Sequence, residues 1–376
     1  MTISTQLLQR YLLHLRELAA QGAGRTFVEP TLLLPQEGQD EPRTCRAGEL
    51  LSQSQRVLVV AGPGQGKSEL LCWLAGRMAE VWLQQGGDAP VPFLLDLRRL
   101  RRDEGLAGLV VGALGACQLQ VEPDAVRRFL RASPVFLLLD NLDLVGDTYA
   151  LAEMAASLAQ AEETSVASVV ACRETGLDAY QAHLRGHVRA TLAPWTDAQV
   201  EEYVERSLPP EQASWLVERL QSQGALWDLV HSPLFLWAAV EVTREGGRRS
   251  LAGLSRALVE RALARLLARL EESAGQDGLQ ALGDGAAAPH LPEWLAQVAW
   301  SLRRSGRASL SREEFTDLVA AQGGEAASRD LPALLDAGVL AFTPDRGGVR
   351  FLHEAVADYF AARALRGMAE RMDDPT

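Results

Sequence analysis

Residues 57–71, VLVVAGPGQGKSELL, contain the only lysine of the chain: of 37 basic residues, all but Lys67 are arginine. The segment reads as three units in succession. Val57 to Val60 suit a buried strand, the glycines suit a tight loop, and Glu69 to Glu80 suit a helix. A strand, a glycine-rich loop and a helix in that order restrict the surrounding fold to a parallel α/β layer.

Ala61, Gly64, Gly66, Lys67 and Ser68 fit the phosphate-binding loop pattern with Ala in place of its first glycine, and Gly62-Pro63 stiffens the turn. Gln65 and Glu69 fill the remaining positions of the loop and the first helical turn. Glycines let successive backbone N–H groups face one anion, and the following helix N-terminus adds partial positive charge. Lys67 is then a compact ammonium for the β- and γ-phosphates of a nucleotide, and Ser68 offers a hydroxyl to Mg²⁺. A branched, planar guanidinium would not fit the same cradle, which accounts for a lysine where every other basic residue is arginine.

The net charge of −12 argues against nucleic acid or an anionic membrane as a bulk partner. The arginine run in DLRRLRRDEG, residues 96–105, is flanked by acids and reads as a solvated face. Cysteines at 45, 72, 117 and 172 show neither metal-ligand nor disulfide spacing. No signal peptide is read at the start and no apolar run reaches the roughly 18 residues that span a bilayer, so a cytoplasmic location is expected. The length allows two or three domains.

Residues 5–20 place Leu8, Tyr11, Leu12, Leu15 and Leu18 on one helical face, followed by an irregular arm to about residue 47. From 51 to 190, RVLVVAG, VPFLLDL, PVFLLLD and SVASVVACR alternate with helix-compatible runs, the pattern of a parallel sheet. Helical periodicity takes over from about residue 191. After a Gly/Ala-rich linker at about 273–292 come two helices, the apolar GVLAFT, a turn at PDRGG, the strand VRFLH and a last helix, which together suggest a winged helix. The expected division is 1–50 helix and arm, 51–190 nucleotide-binding domain, 191–248 helical domain and 249–376 winged-helix domain.

PVFLLLDNLDLVG supplies the second half of a nucleotide site. Asp140 ends a buried strand, where it would hold Mg²⁺, and Asp143 either polarises the attacking water or caps a turn.

Asp140, Asn141 and Asp143 together resemble the Walker B segment of NACHT modules, within the STAND class of signal-transduction ATPases. SVVACRE is similar to the family's next strand, which implies a sensor role for Arg173. LWDLVHSPLFL resembles the helical-domain motif whose proline, here Pro233, packs near the adenine. VRFLHEAVADYFAAR resembles the winged-helix signature whose histidine, here His353, touches the β-phosphate of ADP. RTFVEPTLL is similar to the segment lining the base, with Phe27 and Val28 as the implied contacts. These motifs run in family order over about residues 5–365. Leu144 stands where the family usually has a second acid, which implies binding with slow hydrolysis.

The resemblance implies an α/β P-loop NTPase sheet followed by helical and winged-helix domains. It further implies an ADP-clamped switch that opens with ATP, forms homo-oligomers and serves regulation, in bacteria phage defence or another conflict response. No effector module is read before residue 5 and no sensor repeat after 365, so those functions would lie on partner chains or outside this sequence. The competing readings are an AAA+-like motor and a nucleotide-binding scaffold without hydrolysis.

Overall fold

The computed structural model describes residues 3–23, 26–36, 41–50, 56–86, 89–145, 148–160, 166–174, 177, 184, 186–246, 251–274, 293–343 and 347–373. The linker at 275–292 and most of the PDRGG turn lie outside the described residues. The chain divides into two compact units, Met1–Trp195 and Thr196–Thr376.

The first unit begins with helix α1 (Thr5–Ala23) and strands β1 (Thr31–Leu34) and β2 (Arg43–Arg46). The α/β layer follows: β3 (Arg56–Val60), α2 (Lys67–Gln85), β4 (Val91–Asp96), α3 (Gly105–Ala116), α4 (Pro123–Ala132), β5 (Val135–Asp140), α5 (Thr148–Gln160), β6 (Val166–Cys172) and β7 (Val188–Leu192). All seven strands form one sheet in the order β2-β1-β7-β3-β6-β5-β4. The five strands from β7 to β4 are parallel, β1 pairs antiparallel with β7, and β2 pairs antiparallel with β1. The sheet is therefore mixed rather than wholly parallel. The arm, expected to be irregular, supplies the two extra strands because Leu32 and Leu34 alternate inward against the sheet.

Strand β3 carries Val57, Leu58, Val59 and Val60, each nearly inaccessible, in the middle of the core. Both of its faces are covered, which is why its sequence is a continuous apolar run and not an alternation. Helix α2 lays Leu70, Leu71, Leu74 and Trp82 on the sheet. Helix α1 packs on α2 so closely that a Cβ at Gly76 would overlap that of Ala19. Of the α1 face read from the sequence, Leu8, Tyr11, Leu12 and Leu15 are buried, whereas Leu18 remains 37% exposed. The Tyr11 ring stacks on Phe93 of β4 with centroids 5.5 Å apart.

The second unit holds α6 (Asp197–Ser207), α7 (Pro210–Gln221), α8 (Gly224–Val230), α9 (Pro233–Gly246) and α10 (Leu251–Ala274). Thr196 and Gln199 form a capping box at the start of α6. Next come α11 (Glu293–Arg304), β8 (Leu310–Ser311), α12 (Arg312–Ala337), β9 (Leu340–Phe342), β10 (Gly348–Phe351) and α13 (Glu354–Asp373). The three short strands form an antiparallel sheet in the order β8-β10-β9. Helices followed by a strand pair and a last helix give the winged-helix arrangement read from the sequence. Gly348 is required where β10 meets β8, since a Cβ there would stand 2.6 Å from the Leu310 carbonyl oxygen.

Among the described residues no single helix is long and apolar enough to cross a membrane. Only the sharply bent pair α8–α9 passes by length and composition, and its apolar side chains Leu229, Val230, Phe235 and Leu236 are packed inside the protein.

Candidate functional site

Four parallel strands deliver their C-terminal ends to one rim of the sheet. Strand β3 runs into the 61–66 loop, β4 ends at Asp96, β5 at Asp140 and β6 at Cys172, next to Arg173. Because β6 lies between β3 and β5, Arg173 stands between the loop and Asp140. The crevice beyond the strand ends is where open α/β sheets place their ligands.

The loop itself has the backbone that phosphate binding needs. Gly64 and Gly66 have φ of 72° and 90°, a left-handed conformation that strains any other residue. The Ala61 N–H donates to the Cys172 carbonyl at 3.3 Å, which extends the β3–β6 pairing into the loop. Gln65 lies beside Gly62, and Glu69 occupies the first turn of α2. Lys67 Nζ donates to the carbonyls of Ala61 at 2.9 Å and Gly62 at 2.8 Å. Burial lowers the Lys67 pKa to about 8, against the pull of Asp143 and Asp140.

Ser68 donates a hydrogen bond to the Asp140 carboxylate. Burial pushes the Asp140 carboxyl above its ordinary range, while Ser68, Lys67 and the Asn141 N–H pull it down. A hydroxyl and a carboxylate in contact are two hard oxygen donors, the set that suits a Mg²⁺ ion completed by phosphate and water. Among the described residues no cluster of three or more His, Cys, Asp or Glu side chains could hold a metal by itself, so an ion here would depend on the phosphates.

Asp143 sits in a 3₁₀ turn, Leu142–Leu144, entered through Asn141 in the left-handed region at φ 62°. Its Oδ1 accepts the Arg173 backbone N–H at 3.0 Å and its Oδ2 faces Arg173 Nε at 3.0 Å. The side chains are only 8% and 18% exposed, so this ion pair is shielded from solvent. Cys172, its thiol pushed up to about 12 mainly by burial, donates to the Arg173 carbonyl.

Sequence reasoning missed the support beneath Asp140. Asp96 is in register with Asp140. It accepts from Asn141 Nδ2 at 3.0 Å, and Arg98 grips it through Nε and Nη2. Burial raises the Asp96 carboxyl, but the hydrogen bonds from Arg98 and Asn141 outweigh that and hold it low. One arginine of the apparent solvated run is thus structural. The residue pattern carried no signal of this, because the partners are 45 positions apart.

Phe27 stacks on Trp73 of α2 with centroids 4.9 Å apart and planes 11° from parallel, and Val28 beside it is buried. The arm residues read as base contacts are therefore anchored to the helix that follows the phosphate loop.

In the second unit, Pro233 opens α9 and His353 precedes α13. The structure brings these elements together, with the rings of Phe235 and His353 in edge contact at 5.7 Å. His353 Nδ1 accepts the Ala355 N–H at 3.1 Å, which assigns the proton of the neutral ring to Nε2. Ahead of Pro233, Asp197 Oδ1 accepts from Trp227 Nε1 at 3.1 Å and meets His231 Nε2 at 2.9 Å, tying the start of α6 to the end of α8.

The NACHT domain profile matches residues 55–211. No curated protein matches the sequence. Among solved structures, the chain is similar to the Aeropyrum pernix ORC2 protein, solved as ADPNP–ADP complexes, at 12% identity and TM-score 0.43 over 87% of this chain and 92% of that one. It is also similar to Thermotoga maritima RuvB at 15% identity and TM-score 0.37, over 85% and 92%. Domain III of Thermotoga maritima DnaA matches at 16% identity and TM-score 0.37, over 56% and 88%.

Proposed function

With residues 55–211 a NACHT domain of the P-loop NTPase class, we propose that the chain is a nucleotide-gated signalling switch which binds ADP or ATP with Mg²⁺ and hydrolyses ATP slowly. The observation that supports slow turnover is the engagement of Asp143 by Arg173 on both carboxylate oxygens. A general base must be free to accept the proton of the attacking water, and the next position, Leu144, offers no second carboxylate.

In this reading Lys67 and the 61–66 loop hold the phosphates, Ser68 and Asp140 hold the ion, and Arg173 senses the γ-phosphate by exchanging Asp143 for it. Phe27, Val28 and Pro233 contact the base. The His353 Nε2–H donates to the β-phosphate of ADP, and ATP favours release of the winged helix and homo-oligomer formation. The four-part division at residues 50, 190 and 248 separates the pieces that move. Effector and sensor functions belong to another chain or lie outside this sequence, and a conflict or phage-defence role follows the same reading.

Steady-state phosphate release together with particle mass in ADP and in ATP tests it. A switch turns over well below about 1 per second and gains mass only in ATP. Faster turnover with no change in mass would favour a continuously cycling motor, and binding without turnover would favour a scaffold.

A further inference from the structure

Helix α3 consists entirely of Gly, Ala, Leu and Val. A Cβ at Gly112 would meet nothing within 4 Å. That open space belongs to a cleft of about 490 Å³ bounded by α1, the end of β4 and α3, within the size range of small-molecule sites. Its walls include Leu15, Leu18, Leu95 and Leu109.

Two polar features set the cleft apart from an ordinary packing gap. Tyr11 lines it while only 2% exposed. The Tyr11 hydroxyl accepts the Leu94 N–H at 3.2 Å, and its own proton has no acceptor among the described residues. Burial drives this phenol well above its ordinary pKa, so it stays a donor. At the rim, Arg99 and Arg101 are exposed and have no partner among the described residues. Of the nearby acids, Asp96 is already gripped by Arg98, Glu104 is folded over Gly108 and Asp103 is exposed, and none of the three is bonded to Arg99 or Arg101 among the described residues.

We infer that this cleft binds a small amphipathic anion, with an apolar body against Leu15, Leu109 and the open face of Gly112 and a carboxylate-like head at Arg99 and Arg101. The Tyr11 hydroxyl donates to an acceptor atom within the ligand body. Arginine suits a carboxylate because its planar fork offers two parallel N–H donors. The site stands independently of the switch reading.

Calorimetry on the full chain with 4-phenoxybutyrate tests the inference, since this probe has a carboxylate, an apolar ring and an ether acceptor. The expected result is saturable one-to-one binding, with the neutral amide of the same compound at least about 10-fold weaker. The double variant Arg99→Ala, Arg101→Ala lowers the acid to the affinity of the amide, and Gly112→Phe, which fills the cleft, abolishes binding of both. Should Gly112→Phe lower the melting temperature, the arginine double variant decides alone, as it alters only exposed side chains. Equal affinity for acid and amide in the parent protein, or no saturable binding below about 1 mM, would overturn the proposal.

Discussion

Asp143 holds Arg173 at both ends of its carboxylate, one oxygen on the backbone N–H and the other on Nε, each at 3.0 Å. The residue that follows β6 is thereby fastened to the turn that follows β5. Both oxygens of this carboxylate are engaged, and under the switch reading Arg173 must give up a shielded ion pair before it can meet phosphate. Separating such a pair leaves two partly buried charges uncompensated, a barrier that favours holding a state over rapid cycling.

Leu144→Glu should therefore raise ATP turnover, because it supplies a second acid next to Asp143. A positioned general base contributes about 10² to 10⁴ in rate. Phosphate release under saturating ATP reads the effect. A parent protein that is already fast and indifferent to this change would show that Asp143 suffices.

Lys67 predicts a pH dependence of nucleotide affinity. Its pKa is lowered to about 8 by burial, and only the protonated form attracts phosphate. Affinity for ADP should fall by up to about tenfold per pH unit above that point. The stability of the free protein moves the other way: the unfolded chain holds this proton up to about pH 10.5, so the Lys67 contribution rises between pH 8 and 10.5. Lys67→Arg stays charged and should lose the titration. At pH 7.5 it should still bind roughly 10- to 150-fold more weakly, since its fork does not fit between the Ala61 and Gly62 carbonyls. Unchanged affinity in Lys67→Arg would contradict the phosphate role of this loop.

His353 separates capping from signalling. Its ring accepts the Ala355 N–H only while Nδ1 is unprotonated, and burial lowers its pKa despite the opposing pull of Glu354, Asp228 and Asp358. A lowered folded value means that its contribution is complete above the unfolded value of 6.5 and is lost as pH falls through the folded one. His353→Leu should remove this acid sensitivity and cost about 1 kcal/mol as a lost cap. Under the switch reading it should also speed release of a fluorescent ADP analogue by roughly 10- to 150-fold. Unchanged release with a lowered melting point would assign His353 to the cap alone.

Asn141 tests the support under Asp140. Asn141→Val places a β-branched residue at φ 62°, a strain of about 1 to 2 kcal/mol, and also removes the tie to Asp96. Asn141→Gly removes the tie without the strain. Melting temperature should fall for valine far more than for glycine, while both should raise the Mg²⁺ concentration needed for tight nucleotide binding. If neither shifts the Mg²⁺ requirement, the Asp96–Asn141 bond holds the turn without serving Asp140.

The phosphate loop and the strand carrying Asp140 were legible because their signals are local: a run of glycines, a lone lysine, an apolar stretch ending in an acid. The same holds for the winged helix, whose helices and strands follow one another in sequence. What escaped was non-local. Thr31–Leu34 and Arg43–Arg46 are too short to read as strands alone, and they form because β7 leaves a ladder for Leu32 and Leu33 to complete. Arg98 looked like one of four interchangeable surface arginines, and only the fold carries Asn141 and Asp96 together to show that it is not. The stacking of Phe27 on Trp73 joins residues 46 positions apart and has no periodic trace.

The outermost strands of the sheet bear on how the chain can assemble. On one flank β2 turns Arg43, Thr44 and Arg46 to solvent, a charged border that resists pairing with another backbone. On the other, Tyr11 places its hydroxyl on the free Leu94 N–H of β4, so a donor that an incoming strand would need is already spent. Both features disfavour growth of this sheet from molecule to molecule. Under the switch reading, a homo-oligomer of this chain would then be built through helix and loop faces, a mode of assembly distinct from amyloid-like zipping.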